Sequence, residues 1–203
     1  MYSRLLLLLL VIGFSACSNS NKENKIKEVL KEKEAAPEGV IIQAQTEVDT
    51  LKGSLKAYAT SKIGNVNFTI NYYAPATRGR MIWGGLVAYN NVWVTGAHKA
   101  TNIEFDTAIK IGETTIPAGK YAFFTIPGKE NWIIILNKNW NQHLADEYDQ
   151  AEDVVRMTVT PEIKETHQER LRYVIEEKSD STGEIVMHWD KLEIAVPFKL
   201  VKR

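Results

Sequence analysis

The sequence predicts an all-β domain, a single β-sandwich or flattened barrel of about nine or ten strands, mostly antiparallel. Three observations carry that reading. Apolar and polar residues alternate with a period of two over segment after segment, as in strands with one dry face and one wet face. Proline and glycine punctuate those segments, as in Pro117-Ala118-Gly119 and Pro127-Gly128; proline presets φ and glycine accepts a positive φ. Helical periodicity is scarce, and only 81–89 and 141–149 suggest a short irregular helix or a turn or two.

The chain opens on a different pattern. Arg4 precedes an unbroken apolar run over 5–12, then Gly13-Phe14-Ser15-Ala16 and Cys17, the one cysteine in 203 residues. A positive start, a short apolar core and small residues before a cut describe a secretory signal peptide. The run falls well short of the ~20 apolar residues that span a bilayer. A cysteine directly after the small pair points to a bacterial lipoprotein, with Cys17 acylated as the first mature residue. Residues 1–16 are therefore read as a lipoprotein signal peptide and 17–45 as a lipid-anchored charged linker. Residues 46–203 are read as the β-sandwich domain. The linker runs through Ser-Asn-Ser-Asn into a Lys/Glu-rich stretch, which has too little apolar surface to offset its ordering entropy. The expected location is the cell envelope, with the lipid on Cys17 as the membrane contact. Ser18-Asn19 avoids the aspartate that commonly retains lipoproteins inside, so the outer membrane is the expected one.

Within the domain the strands follow in order. Over 66–73, Phe68, Ile70 and Tyr72 alternate with Asn67, Thr69 and Asn71. Over 103–111, Ile103, Phe105, Thr107, Ile109 and Ile111 face away from Glu104, Asp106, Ala108 and Lys110, which predicts one strand with a wet face. Short strands are expected at 114–116, 120–126 and 132–136, and the continuous apolar run 133–136 predicts cover on both faces. A strand over 153–160 ends at Pro161, which cannot donate to a ladder. Leu171, Tyr173 and Ile175 share a face, as do Ile185, Met187 and Trp189, with a turn at 179–183. Leu192, Ile194, Val196 and Phe198 make a final alternating strand.

Composition narrows the function. Lysine plus arginine total 25 and aspartate plus glutamate 25, so no basic stripe exists to neutralise phosphates, and nucleic acid is not expected as a partner. With Cys17 acylated, no thiol remains for a disulfide, a thiolate metal site or a cysteine nucleophile. His98, His143, His167 and His188 show neither H-x-H nor H-E-x-x-H spacing, so no metal site is read from them. His188, beside Trp189 on the opposite face, is expected at the surface. No G-x-S-x-G elbow is present, and no cofactor is implied. Trp140 with Tyr148 offers a possible sugar platform, while Trp132 and Trp189, embedded in strands, belong to the core. The densest group of chemistry-bearing residues is Trp93-Val94-Thr95-Gly96-Ala97-His98-Lys99-Ala100-Thr101, a loop ahead of a strand, where binding residues concentrate.

That loop, with 79–89 before it and Ile116-Pro117-Ala118-Gly119-Lys120-Tyr121, Phe124-Thr125-Ile126-Pro127 and Trp132-Ile133-Ile134-Ile135-Leu136-Asn137 after it, resembles the bacterial domain of unknown function 2911 family. The similarity covers about 53–198. The resemblance implies an exported protein, often a lipoprotein, and assigns no activity. The family loop usually reads Trp-Arg-Thr-Gly-Ala-Asn, whereas this chain has Val94 and His98 at the Arg and Asn positions. If the family holds an anion on that arginine, the bidentate fork is lost here, with Arg80, Arg156 and Arg170 as substitutes.

Two functional readings follow. The first is a non-enzymatic binding or structural module of the envelope, with a glycan, a peptide or an envelope protein as ligand. Its site lies at the 95–101 loop end and comprises Arg80, Thr95, Gly96, His98, Lys99, Thr101 and Arg156. The alternative is a hydrolase-like enzyme using His98 as acid/base, with Asp153 or Glu104 orienting the imidazole and an arginine steadying an anion.

Overall fold

The computed structural model describes residues 49–201 and the two-residue strand at 40–41. The expected signal peptide at 1–16, Cys17 and nearly all of the expected linker at 17–45 lie outside the described residues. Eleven strands follow in chain order: β1 (Val40–Ile41), β2 (Leu55–Ile63), β3 (Val66–Ala74), β4 (Asn102–Phe105), β5 (Ile109–Ile111), β6 (Thr114–Ile116), β7 (Gly119–Ile126), β8 (Trp132–Asn137), β9 (Asp153–Val159), β10 (Glu162–Ser179) and β11 (Thr182–Leu200). They form two antiparallel sheets, ordered β1-β2-β3-β4-β7-β8-β9 and β10-β11-β5-β6. The all-β reading holds, and the architecture is the sandwich rather than the barrel.

Alternation builds the core between the sheets. Phe68, Ile70 and Tyr72 of β3 point inward with Ile103 and Phe105 of β4, and Trp132, Ile134 and Leu136 of β8 continue the same layer. Leu171, Tyr173 and Ile175 of β10 and Ile185, Met187 and Trp189 of β11 face them from the second sheet. Each buried aromatic removes ~150–250 Å² from water. Phe68 packs on Phe198 with ring centroids 4.8 Å apart, and Tyr72 meets Tyr173 edge-on at 4.9 Å.

Three elements differ from the sequence reading, each for a physical reason. The alternating run 103–111 is two strands in different sheets, β4 and β5. The chain turns the corner at 106–108, where Asp106 accepts hydrogen bonds from the backbone N and the side-chain Nδ2 of Asn67. Parity survives the corner, so Ile109 and Ile111 stay buried and the sequence shows no break. The opposite happens in β11, where the two alternating segments read from the sequence form one strand. Asp190 adopts φ +57° beside a register shift against β10. The extra residues of that irregularity lie on β10, where Ile163, Gln168 and Arg172 oppose Leu192, Asp190 and His188, and the left-handed kink at Asp190 exchanges the two faces of β11. Odd-numbered Trp189 and even-numbered Ile194 therefore both point inward. No helix forms over 81–89. Gly84 takes φ +77°, and the peptide N–H groups of Leu86 and Val87 bond back to the carbonyls of Met81 and Ile82, closing a tight turn.

The expected double cover of the 133–136 run is present. On the outer side of the large sheet, Ala122, Phe124 and Ile135 pack under Val94 and Ala100, with Ala145 and Tyr148 beside them. Two loops thus roof β7 and β8, while the outer face over β2, β3 and β4 stays polar. His188, expected at the surface, is half-buried opposite Arg172, and burial pushes its pKa below the ordinary imidazole value.

Gly183, at the tip of the β10–β11 hairpin, tests the packing. A Cβ there would lie 2.6 Å from both Ile63 Cδ1 and Phe198 Cζ and 2.7 Å from the Glu176 carbonyl oxygen. Gly183→Ala is expected to destabilise the domain by ~1–3 kcal/mol, as overpacking does. Thermal unfolding should show a drop of several degrees, at ~2–4 °C per kcal/mol for this size; an unchanged midpoint would show that the hairpin end has slack.

Candidate functional site

Between β3 and β4 the chain runs through 75–101 with almost no regular pairing, and this segment builds the site. Two tryptophans pin it to the core. Trp83 meets Trp132 and Trp189 edge-on at 4.9 and 5.7 Å, and Trp93 stacks on Trp189 at 5.9 Å with rings 20° apart. Trp132 belongs to one sheet and Trp189 to the other, so the segment is wedged at the end of the sandwich. Trp93 also exchanges backbone hydrogen bonds with Thr125 of β7.

A buried knot follows directly. Thr95 is fully buried at φ +49°, and its hydroxyl donates to Thr125 Oγ1 at 3.0 Å. Its carbonyl accepts from the hydroxyls of Thr101, at 3.0 Å, and Tyr173, at 2.8 Å. Gly96 sits so close that a Cβ would lie 2.7 Å from Thr101 Oγ1. Thr95 and Thr101, read from the sequence as ligand contacts, spend their hydroxyls inside this knot. They hold the loop in shape.

The knot shapes a cavity of about 350 Å³ whose lining includes Arg78, Arg80, Trp93, Val94, His98 and Trp189. Its floor is aromatic and aliphatic; its charge comes from the two arginines. Arg80 is held on its own backbone, with Nε donating to the Thr77 carbonyl at 3.0 Å and Nη2 to the Ala76 carbonyl at 2.7 Å. Among the described residues neither Arg78 nor Arg80 has a carboxylate within ion-pair distance of its guanidinium. Val94, at the position where the resembling family carries arginine, lines this same cavity. His98, at φ +62°, sets its ring edge-on to Tyr73 at 5.1 Å, and its carbonyl accepts from Leu144 N at 2.8 Å. No carboxylate hydrogen-bonds its ring among the described residues.

The turn that presents the arginines is clamped by a residue the sequence reading missed. Glu169 of β10 accepts from Thr77 Oγ1 at 2.6 Å and from the Arg78 backbone N at 2.8 Å. His167 backs it up, with Nε2 3.0 Å from Glu169 Oε2 and Nδ1 3.1 Å from Asp190 Oδ1. Both ring nitrogens face carboxylates, so only the imidazolium satisfies both. Its pKa is raised, chiefly by the Glu169 hydrogen bond. For Glu169, burial works upward, but donation from Thr77, Arg78 and His167 outweighs it and brings the pKa to about 2. The sequence signal was faint, since His167 and Asp190, the extremes of the trio, are 23 residues apart and meet only through the bulged hairpin.

The remaining candidates lie elsewhere. Lys99 points to a second cavity, lined also by Lys56, Asn71, Asn102, Lys120 and Trp140. Glu104 pairs at 3.8 Å with Lys120 across the ladder. Arg156 and Asp153 pair with each other at 2.7 Å. Asp153, whose side chain is 5% exposed, also accepts from Asn137 Nδ2 and the Tyr148 hydroxyl, each at 2.8 Å. Neither Asp153 nor Glu104 is hydrogen-bonded to His98, and Arg156 does not line the arginine cavity. Arg170 is structural: its guanidinium grips the Asp49 carboxylate with Nε and Nη2 and the Ala74 carbonyl with Nη1.

The family model described as "Protein of unknown function (DUF2911)" matches residues 54–198, and the chain belongs to that family. Neither the curated proteins nor the solved structures contain a match to this chain.

The clamp should be sensitive to pH in a definite direction. The pKa of His167 is raised on folding, so its contribution is complete below the ordinary value of 6.5 and fades as pH rises through the folded value. The pKa of Glu169 is lowered, so its contribution exists above its ordinary 4.5 and disappears as pH falls toward 2. Thermal unfolding of the native chain and of His167→Gln should differ most near pH 6 and converge toward pH 9. A constant offset across that range would rule out the charged ring.

Proposed function

We propose that this DUF2911 protein is an envelope lipoprotein. Acylated Cys17 tethers a domain that binds, without turnover, a carboxylate-bearing ligand with an apolar body, such as a peptide end. One observation carries the binding half of this reading. The Arg80 guanidinium is fixed by two backbone carbonyls at the mouth of an aromatic-floored cavity, unpaired with any carboxylate among the described residues. A prepositioned guanidinium loses little freedom on meeting a carboxylate, and the pair is charge-assisted. Trp93, Val94, Leu86 and Trp189 around it suit an apolar body. The 95–101 loop contributes Gly96 and His98 to the lining, and Glu169 keeps the arginine turn in place. The hydrolase-like alternative is less well supported, because His98 lacks an orienting carboxylate among the described residues. The anchoring half rests on Arg4, the apolar run 5–12 and Cys17.

Both halves have direct tests. Trp93 and Trp189 line the cavity, so intrinsic fluorescence reports occupancy. An acetylated peptide ending in leucine with a free carboxylate should shift the emission, and its amidated form should bind about tenfold more weakly, a difference of ~1.4 kcal/mol. Arg80→Gln should cost the acid form a similar factor. Equal binding of acid and amide, or of native and Arg80→Gln protein, would sink the proposal. For the anchor, cells fed a clickable fatty acid should label the native chain and not Cys17→Ser; equal labelling of both would refute acylation at that thiol.

A further inference from the structure

The outer face of the large sheet has a step in it. Over β7 and β8 it is roofed by the loops at 92–101 and 139–148, while over β2, β3 and β4 it is open. At the foot of that step lies a cavity of about 250 Å³ whose lining includes Lys56, Asn71, Lys99, Asn102, Lys120 and Trp140. The sheet dictates this grouping. Lys56 of β2 pairs with Tyr73 of β3, Asn71 of β3 pairs with Asn102 of β4, and Lys120 lies on β7, the next strand. Outward residues two apart on one strand, or opposite on neighbouring ones, share a face. The loops add Lys99 and Trp140 from above.

The chemistry of this lining is one-sided. It contributes three ammonium groups and no carboxylate, in a chain whose formal charges cancel. Lys120 is held in place, its Nζ 4.2 Å from the centroid of the Trp140 ring and 3.8 Å from Glu104 Oε2 at the margin. Lys56 and Lys99 have no acidic partner within ion-pair distance among the described residues. The amides are set as well: Asn71 Nδ2 donates to Asn102 Oδ1 at 3.3 Å, leaving the Asn102 Nδ2 donors and one Asn71 donor for a guest. Carboxamides bond hydroxyls in either direction, ammonium groups neutralise an acid, and an aromatic edge packs against a ring.

We infer that this step is a binding site for an acidic saccharide, one uronate-type sugar ring at a time. It is separate from the arginine cavity, from which the edge-on Tyr73–His98 pair divides it. The concave shape and the paired amides favour a sugar over a flat anionic membrane, which would meet a convex basic patch. They also favour it over nucleic acid, which needs an extended basic track.

Calorimetry on the full-length protein at physiological salt tests the site, with trigalacturonate and a hyaluronan tetrasaccharide as probes. At least one should bind, and neutral galactotriose should bind at least tenfold more weakly. The double variant Lys56→Gln/Lys99→Gln, both at exposed positions, should weaken binding at least tenfold, and Asn102→Ala at least threefold. Arg80→Gln should leave the affinity within twofold, so the arginine cavity can fail its own test while this site stands. Absence of binding by both probes, or unchanged affinity in the lysine variant, would overturn the inference. Equal or tighter binding of a single-stranded oligonucleotide or of phosphatidylglycerol vesicles would overturn it too, as would a tenfold loss in Arg80→Gln.

Discussion

A segment of 27 residues, 75–101, leaves one strand and rejoins the sheet without a ladder of its own, and the tryptophan wedge is what makes that tolerable. Irregular backbone near a core carries polar groups that must be met and entropy that must be offset. Trp83 and Trp93 supply the offsetting apolar burial by sitting against Trp132 and Trp189, one from each sheet. Because the two anchoring rings belong to opposite layers, the wedge also fixes the sheets relative to each other at this end. Loosening it would release the loop and part of the sandwich together.

Polar groups finish what the wedge begins, and they do so by reaching in from regular structure. Tyr173 of β10 and Thr125 of β7 satisfy Thr95; Glu169 of β10 satisfies Thr77 and the Arg78 amide. The donors and acceptors on the strands are fixed by ladders, so the loop inherits their rigidity. Burial raises the pKa of Tyr173 well above its ordinary value, which keeps its hydroxyl a donor at any physiological pH. Arg80, by contrast, is satisfied only along one edge of its guanidinium, by carbonyls of its own turn. The exposed edge is therefore held in place before any ligand arrives.

Much of the sandwich was legible because alternation reports burial directly, and Phe68, Tyr173 and Met187 all lie where their period places them. What was missed follows from what alternation cannot see. A corner that conserves parity, at Asp106, is invisible; a left-handed kink that reverses it, at Asp190, looks like two strands. β2 went unread because its inward residues include Ala57 and Ala59, whose small apolar signal is the same property that lets β10 approach β2 closely. The site was half legible. Residue types marked the 95–101 loop and Arg80, but types cannot distinguish an inward threonine from an outward one. The clamp of Glu169, His167 and Asp190 depends on the hairpin bulge, a tertiary event with no local motif.

The seven residues from Thr95 to Thr101 show how one short loop serves two faces. Thr95 and Thr101 turn inward and tie its ends together, which forces the intervening chain outward through the positive φ of His98. At that bend successive side chains diverge: His98 lines the arginine cavity and Lys99 lines the lysine-rich step. Bridges from 98–100 to 142–144 hold the divergence from above. The ring of Tyr73, which lines the step, packs edge-on against His98, which lines the arginine cavity. The chain joins the two linings as well, at the His98–Lys99 peptide and from Tyr73 through Ala74 to Pro75, so the loop and the end of β3 hold both cavities in one frame.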